Sequence, residues 1–168
     1  MATVTLQGNT INIIGELPAV GSVAPDFTLT AADLADKTLS DYAGKMKVLS
    51  IVPSLDTGVC AMSTKAFNEK ISASSGVEVL VISADLPFAM GRFCAAEKTD
   101  NVTPLSMMRD KHFAKDYGVL MTDGPLAGVT ARAVVLIDES NKVLYTELVP
   151  EITQEPDYAA VLEKLPIS

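Results

Sequence analysis

"PSLDTGVC", residues Pro53–Cys60, admits two incompatible readings. Its Asp-Thr-Gly triplet reads as half of a paired-aspartate catalytic loop. Its Pro-x-x-x-Thr-x-x-Cys spacing reads as a loop that presents a cysteine to an oxidant. The flanks bear on the choice. Upstream, "MKVLSIVP" (Met46–Pro53) is nearly continuous in apolar residues and ends at proline, the pattern of a buried central strand. Downstream the period changes: Val59, Met62, Ala66 with Phe67, and Ile71 recur at helical spacing, predicting a helix over Val59–Ser75 that Gly76 stops. The stretch is therefore a strand-loop-helix corner.

Working outward, "TVTLQGNTINIIG" (Thr3–Gly15) alternates apolar and polar residues about Gly8-Asn9, a β-hairpin signal. "APDFTLTAADL" predicts a short strand and a turn. "VEVLVISAD" (Val77–Asp85) predicts a second buried strand, and "LPFAMGRFCAAEK" (Leu86–Lys98) a helix with Pro87 near its start and Gly91 as a weak point. "RDKHFAKDYG" reads as a short helix closed by Gly118. "ARAVVLID" and "KVLYTELV" flank "ESN" as a hairpin, and "EPDYAAVLEKL" predicts a C-terminal helix with Pro156 in its first turn. Central βαβ units beside antiparallel hairpins predict an α/β sandwich with a mixed sheet, one domain over residues 1–168. An aspartic protease is almost wholly β and needs two such loops. Here the triplet occurs once, and a helix follows it.

Composition narrows the function. The 168 residues are 48% hydrophobic and 20% charged, as in a globular protein. No apolar run approaches the ~18 residues of a membrane span. The N-terminus has neither a basic nor an apolar leader region, so a cytoplasmic location is expected. Lys and Arg total 13 against 21 for Asp and Glu, with no basic cluster, which argues against nucleic-acid partners.

Cys60 and Cys94 are the only cysteines. In a reducing compartment they are either inert core residues or a redox pair. If Thr57 caps the helix, Cys60 falls at the third helical position. Its sulfur then faces unsatisfied N–H groups and the positive end of the dipole, which favours the reactive thiolate. Thr57 has two competing uses for one oxygen: capping an amide, or pointing at the sulfur to orient a peroxide. Pro53 is either a strand exit or a cover that keeps water from the sulfur. Asp56 is expected to point away, because a carboxylate beside a thiolate opposes its charge.

This motif resembles that of the peroxiredoxins. "LQGN", "APDFTL", "ISADLPFAMGRFC" and "GPLAGVTARAVVLID" extend the likeness to the bacterial thiol peroxidase branch, the atypical two-cysteine peroxiredoxins, nearly end to end. The resemblance implies a thioredoxin-like α/β fold with a central mixed sheet flanked by helices and an N-terminal hairpin. It implies reduction of hydrogen peroxide and organic hydroperoxides, alkyl and lipid ones included, without metal, haem or flavin, in antioxidant defence and redox homeostasis. Cys60 would be the peroxidatic cysteine, oxidised to sulfenic acid. Thr57 would bind thiolate and peroxide, and Arg132 would supply a guanidinium to the developing charge. Cys94 would resolve the sulfenic acid as an intrachain Cys60–Cys94 disulfide, which thioredoxin would reduce, in a homodimer. Such a bond needs Cα atoms within about 7 Å, so both helix segments are expected to unwind partly in each cycle.

Simpler uses stand beside these. Without the resemblance, Arg132 reads as a solvated strand-edge residue. His112, in "RDKHFAKD", reads as a surface residue, and the spacing of a zinc site is absent. The methionines, "SMMRD" included, read as core or pocket packing. "GPLAG" lacks the lysine and spacing of a phosphate loop. Two rival functions remain: a glutaredoxin-like thiol–disulfide oxidoreductase built on "CAMS" (Cys60–Ser63), and a non-catalytic redox sensor whose thiols are core residues or a switch.

Overall fold

The computed structural model describes residues 2–71 and 76–166. β1 (Thr3–Leu6) and β2 (Asn9–Ile14) form an antiparallel hairpin in which Leu6 pairs with Asn9. The turn residues are therefore Gln7 and Gly8, with φ of 50° and 84°. Two successive positive-φ residues match the twist of the flanking strands, so the turn lies one residue before the Gly8-Asn9 position expected from sequence. Then come β3 (Leu29–Ala31), β4 (Asp36–Lys37), a single 3-10 turn (Leu39–Tyr42), β5 (Met46–Ile51), α1 (Gly58–Lys70), β6 (Val77–Ser83), α2 (Pro87–Glu97), β7 (Val102–Ser106), α3 (Phe113–Asp116), β8 (Leu120–Met121), β9 (Ala133–Ile137), β10 (Val143–Leu148) and α4 (Tyr158–Glu163).

Seven strands make the main sheet, in the order β10-β9-β5-β6-β7-β3-β4, while β1, β2 and β8 form a small second sheet. β5, β6 and β7 are parallel, and the outer strands run antiparallel to their neighbours, so the sheet is mixed as expected. All six residues of β5 are buried, as its continuous apolar run requires. Alternation along it sends Leu49 and Ile51 into one core with Phe27, Phe113 and Tyr117. Val48 goes into another with Cys60, Phe67 and Met90. α1 and α2 connect the parallel strands and pack on that second face, as α4 also does. Lys47 and Ser50 are the polar residues of β5, and Lys47 is its one charge. Its buried ammonium donates to Asp138 O (3.2 Å) and Asn141 Oδ1 (2.7 Å), pinning the "ESN" hairpin where Asn141 takes a φ of 66°.

Four local expectations change. β7, absent from the sequence reading, contains Pro104. The proline is tolerated because β3 pairs only with Leu105 and Ser106, leaving that side of Pro104 without a ladder partner from β3. The buried stripe of α1 is Cys60, Ser63, Thr64 and Phe67. Met62, expected inside, is 51% exposed. α1 closes at Lys70, and residues 72–75 of the expected helix lie outside the described residues. Pro156 precedes α4 rather than entering its first turn; Asp157 is the cap, accepting from Ala160 N at 3.1 Å. His112 is exposed, as expected. Among the described residues no helix is long and apolar enough to cross a membrane.

Candidate active site

The corner between β5 and α1 builds the site. After Ile51, Val52 N still donates to Ile82 O, and the buried Pro53 then ends the ladder because it has no N–H to give. Ser54–Asp56 turn the chain, and Thr57 stands at the helix start with extended backbone (φ −106°, ψ 149°). Its hydroxyl makes no capping bond and donates instead to Ser54 O at 2.9 Å. Thr57 and Asp56 are both exposed.

Cys60 is the third residue of α1, where the sequence spacing put it, and it is fully buried. Arg132 reaches it from the residue before β9: Nη2 lies 3.2 Å from the sulfur. Arg132 is 2% exposed, so the solvated strand-edge reading fails. A buried guanidinium needs acceptors. Ile152 O supplies one, taking bonds from Nε (3.2 Å) and Nη2 (3.0 Å). The third nitrogen, Nη1, is buried without a hydrogen-bond partner among the described residues.

Ile152 O was not legible in the sequence, because a backbone carbonyl leaves no residue signature. It is held in place by the adjacent Glu151, whose carboxylate accepts from Gly8 N (2.9 Å), Thr5 Oγ1 (3.1 Å) and Thr153 N (2.9 Å). The bonds from Thr153 and Gly8 amides hold the Glu151 carboxyl down to about 2. The N-terminal hairpin thus fixes the loop that orients Arg132.

A cavity of about 270 Å³ opens here, with Pro53, Thr57, Val59, Leu6, Leu126 and Arg132 in its walls. Pro53, Thr57 and Arg132 therefore meet around one space, and Cys60 lies against the guanidinium. Cys94 is elsewhere, half-buried on α2, where burial pushes its thiol up. Both thiols are free, and both belong to the apolar cluster on the α1–α2 face of the sheet. A positive group on a buried sulfur beside a small cavity suits nucleophilic sulfur chemistry on a small polar substrate.

Comparison with known proteins agrees with this chemistry. The profile of the family described as Redoxin matches residues 19–162. The thiol peroxidase of Mycobacterium tuberculosis (strain ATCC 25618 / H37Rv) is 56% identical over 165 residues, covering 98% of this chain and 99% of that protein. The thiol peroxidase of Leptospira interrogans serogroup Icterohaemorrhagiae serovar Lai (strain 56601) is 54% identical over 164 residues, 96% of each chain. Among solved structures, the peroxiredoxin-like protein from Aquifex aeolicus superposes with a TM-score of 0.91 at 45% identity, covering 96% of this chain and 94% of that one. Relatives of this closeness set the non-catalytic sensor reading aside. The chain belongs to the Redoxin family and, within it, to the thiol peroxidases, which makes it an oxidoreductase with a thioredoxin-like fold.

Proposed function

We propose that this chain reduces hydrogen peroxide and organic hydroperoxides, alkyl and lipid ones included, with Cys60 as the attacking sulfur. The observation that carries the reading is the divided use of Arg132. One N–H faces Cys60 Sγ at 3.2 Å, while a second nitrogen is buried, without a hydrogen-bond partner among the described residues, and part of a residue lining the cavity. A permanently charged fork of this kind serves two atoms at once, the sulfur and an oxygen gaining negative charge.

In this reading the Cys60 thiolate attacks the terminal oxygen of R–O–O–H. An S–O bond forms, the O–O bond breaks, and the departing alkoxide takes a proton to leave as alcohol, or as water from hydrogen peroxide. Cys60 is left as sulfenic acid. Thr57 turns its hydroxyl from Ser54 O to the peroxide, and Pro53 keeps bulk water off the sulfur. Apolar walls from Leu6, Val59 and Leu126 favour an alkyl substituent. Cys94 then gives up its proton and attacks the sulfenic sulfur as thiolate: an S–S bond forms, the S–O bond breaks, and the hydroxyl leaves as water with that proton. Thioredoxin, a dithiol, returns both cysteines to thiols and becomes a disulfide itself. The working form is a homodimer engaged in antioxidant defence.

Joining the two sulfurs requires the first turn of α1 to loosen. Cys60 O already accepts side-chain bonds from Ser63 Oγ (3.0 Å) and Thr64 Oγ1 (2.9 Å), a pattern that competes with the regular ladder. The same bond weakens the glutaredoxin-like alternative, because the Ser63 hydroxyl is committed to a carbonyl rather than to the sulfur. Peroxide consumption under excess reductant is the test: Cys60→Ser should abolish it, and mass spectrometry after one equivalent of peroxide should find Cys60 linked to Cys94 within one chain. Equal consumption by the variant and the native chain would rule the reading out.

A further inference from the structure

Between the two cysteine-bearing segments lies a residue that the chemistry above does not use. Asp85 follows β6 and stands two residues before the start of α2. Its carboxylate accepts from Ser54 Oγ (2.7 Å) through Oδ1, and from Leu55 N (2.8 Å) and Ser83 Oγ (2.7 Å) through Oδ2. Its backbone is fastened as well: its N–H donates to Ser83 Oγ (3.1 Å), and its carbonyl accepts from Ser106 Oγ. One end of the residue is thus bound to the tips of β6 and β7, and the other grips the loop that leads into Cys60.

That grip extends to the site. Ser54 Oγ, oriented by Asp85, accepts from Asp56 N (3.1 Å), and Ser54 O accepts the Thr57 hydroxyl (2.9 Å). Three residues further on is Cys60. A charge-assisted set of bonds to one carboxylate is stronger than the same number of neutral ones. It exists in the structure with both thiols free. Asp85 also lines an open cleft of about 670 Å³ between this loop and α2, a route by which water can replace its bonds when the loop moves.

We propose that Asp85 is a positioning residue, a latch that holds the Ser54–Thr57 segment in the peroxide-reactive arrangement and lets go when Cys60 joins Cys94. The inference rests on the proposed function. If the latch belongs to the dithiol form alone, it stabilises that form against the disulfide. Removing it shifts the dithiol–disulfide equilibrium toward the disulfide, slows oxidation of Cys60 and leaves disulfide closure as fast or faster. A role that merely supports the fold in both forms moves neither the equilibrium nor the ratio of the two steps.

The deciding measurement is a redox titration of full-length Asp85→Ala and Asp85→Asn against dithiothreitol. In that exchange the Cys60–Cys94 disulfide and the reagent dithiol become two protein thiols and the cyclic reagent disulfide. The asparagine variant keeps the shape and one acceptor, and it carries the test should the alanine variant not fold. The expected shift is about tenfold toward the protein disulfide for Asp85→Ala, a potential more negative by about 30 mV. Threefold or more supports the latch; less than threefold in every variant that folds, or a shift toward thiols, overturns it. If the native chain forms no Cys60–Cys94 disulfide in this titration, the proposed function fails and the latch with it. A normal native titration with unshifted variants removes the latch alone.

Discussion

α1 and α2 are successive crossovers on one face of one sheet, each carries a cysteine, and they are held very differently. α1 turns Cys60, Ser63, Thr64 and Phe67 inward, each no more than 1% exposed, and Phe67 meets the Tyr158 ring of α4 edge-on at 5.2 Å. α2 buries only Pro87 and Met90. Leu86 at its start and Phe88 in its first turn are 54% and 64% exposed. The peroxidatic candidate therefore rides on a helix fixed by core packing and by a buried cation, and the resolving candidate on a helix with fewer buried side chains. Bringing the two sulfurs together displaces fewer buried contacts if α2 yields more than α1. From sequence both helix segments are expected to unwind partly in each cycle, and the difference in packing bears on how they share that motion.

The sharpest way to break this contrast is to remove packing from each helix in turn. Phe67→Ala should destabilise the fold by about 3–5 kcal/mol, the range for a large aromatic lost from a core. Phe93→Ala, half-buried on α2, should cost clearly less. Urea unfolding of both variants checks this, and equal losses would erase the distinction between the helices.

Next in size is the cation. Arg132→Ala should lower the second-order rate constant for peroxide by roughly 10²–10³, about 2.7–4 kcal/mol of barrier, the scale of one preorganised donor. Arg132→Lys should recover little. A single ammonium cannot present a fork to Ile152 O, Cys60 Sγ and an incoming oxygen together. Stopped-flow oxidation under single turnover reads this directly. A lysine variant close to native speed would mean that charge alone matters, and that the fixed geometry of Arg132 does not.

These expectations differ in how legible they were. The strand, the corner and the helical place of Cys60 follow from apolar periodicity and a proline, so the sequence shows them. The apolar stripe of α1 misled, because Cys60 and Thr64 are buried and Met62 is not. A hydroxyl bound to the carbonyl four residues back, as Thr64 Oγ1 is to Cys60 O, packs like an apolar group. β7 was hidden by Pro104, which looks like a strand breaker unless the pairing on each side is known. Arg132 stood out by resemblance only, since nothing local distinguishes a buried arginine before a strand from an exposed one. Its anchor at Ile152 O, and the hydrogen bonds of Asp85, arise from segments far apart in the chain. No spacing rule reaches them.

A third effect is smaller and concerns the second step. Burial pushes the Cys94 thiol above its ordinary value, so this group binds its proton more tightly in the folded dithiol chain. Its contribution favours the folded form below the ordinary thiol range and is lost as pH rises through the raised value. Because the thiolate is the attacking species, disulfide closure should quicken by nearly tenfold per pH unit, from neutral pH upward, as long as the pH stays well below the raised value. Rapid-quench alkylation after one equivalent of peroxide follows closure separately from oxidation. A flat profile from neutral pH upward would show that proton loss from Cys94 does not limit the step.

Smallest should be Phe88→Ser. The ring is mostly in water already, and the two residues have similar helix propensities, so the fold should change by no more than about 0.5 kcal/mol. The comparison sharpens when unfolding is measured at two protein concentrations. A substitution on a free surface gives the same small change at both. If a second copy covers this face, native stability gains a mass-action contribution that grows with concentration, and Phe88→Ser removes it. The variant then matches the native chain when dilute and falls behind when concentrated. In that case α2 is lightly held within its own chain but secured from outside, and its release to let Cys94 reach Cys60 is coupled to the partner's grip.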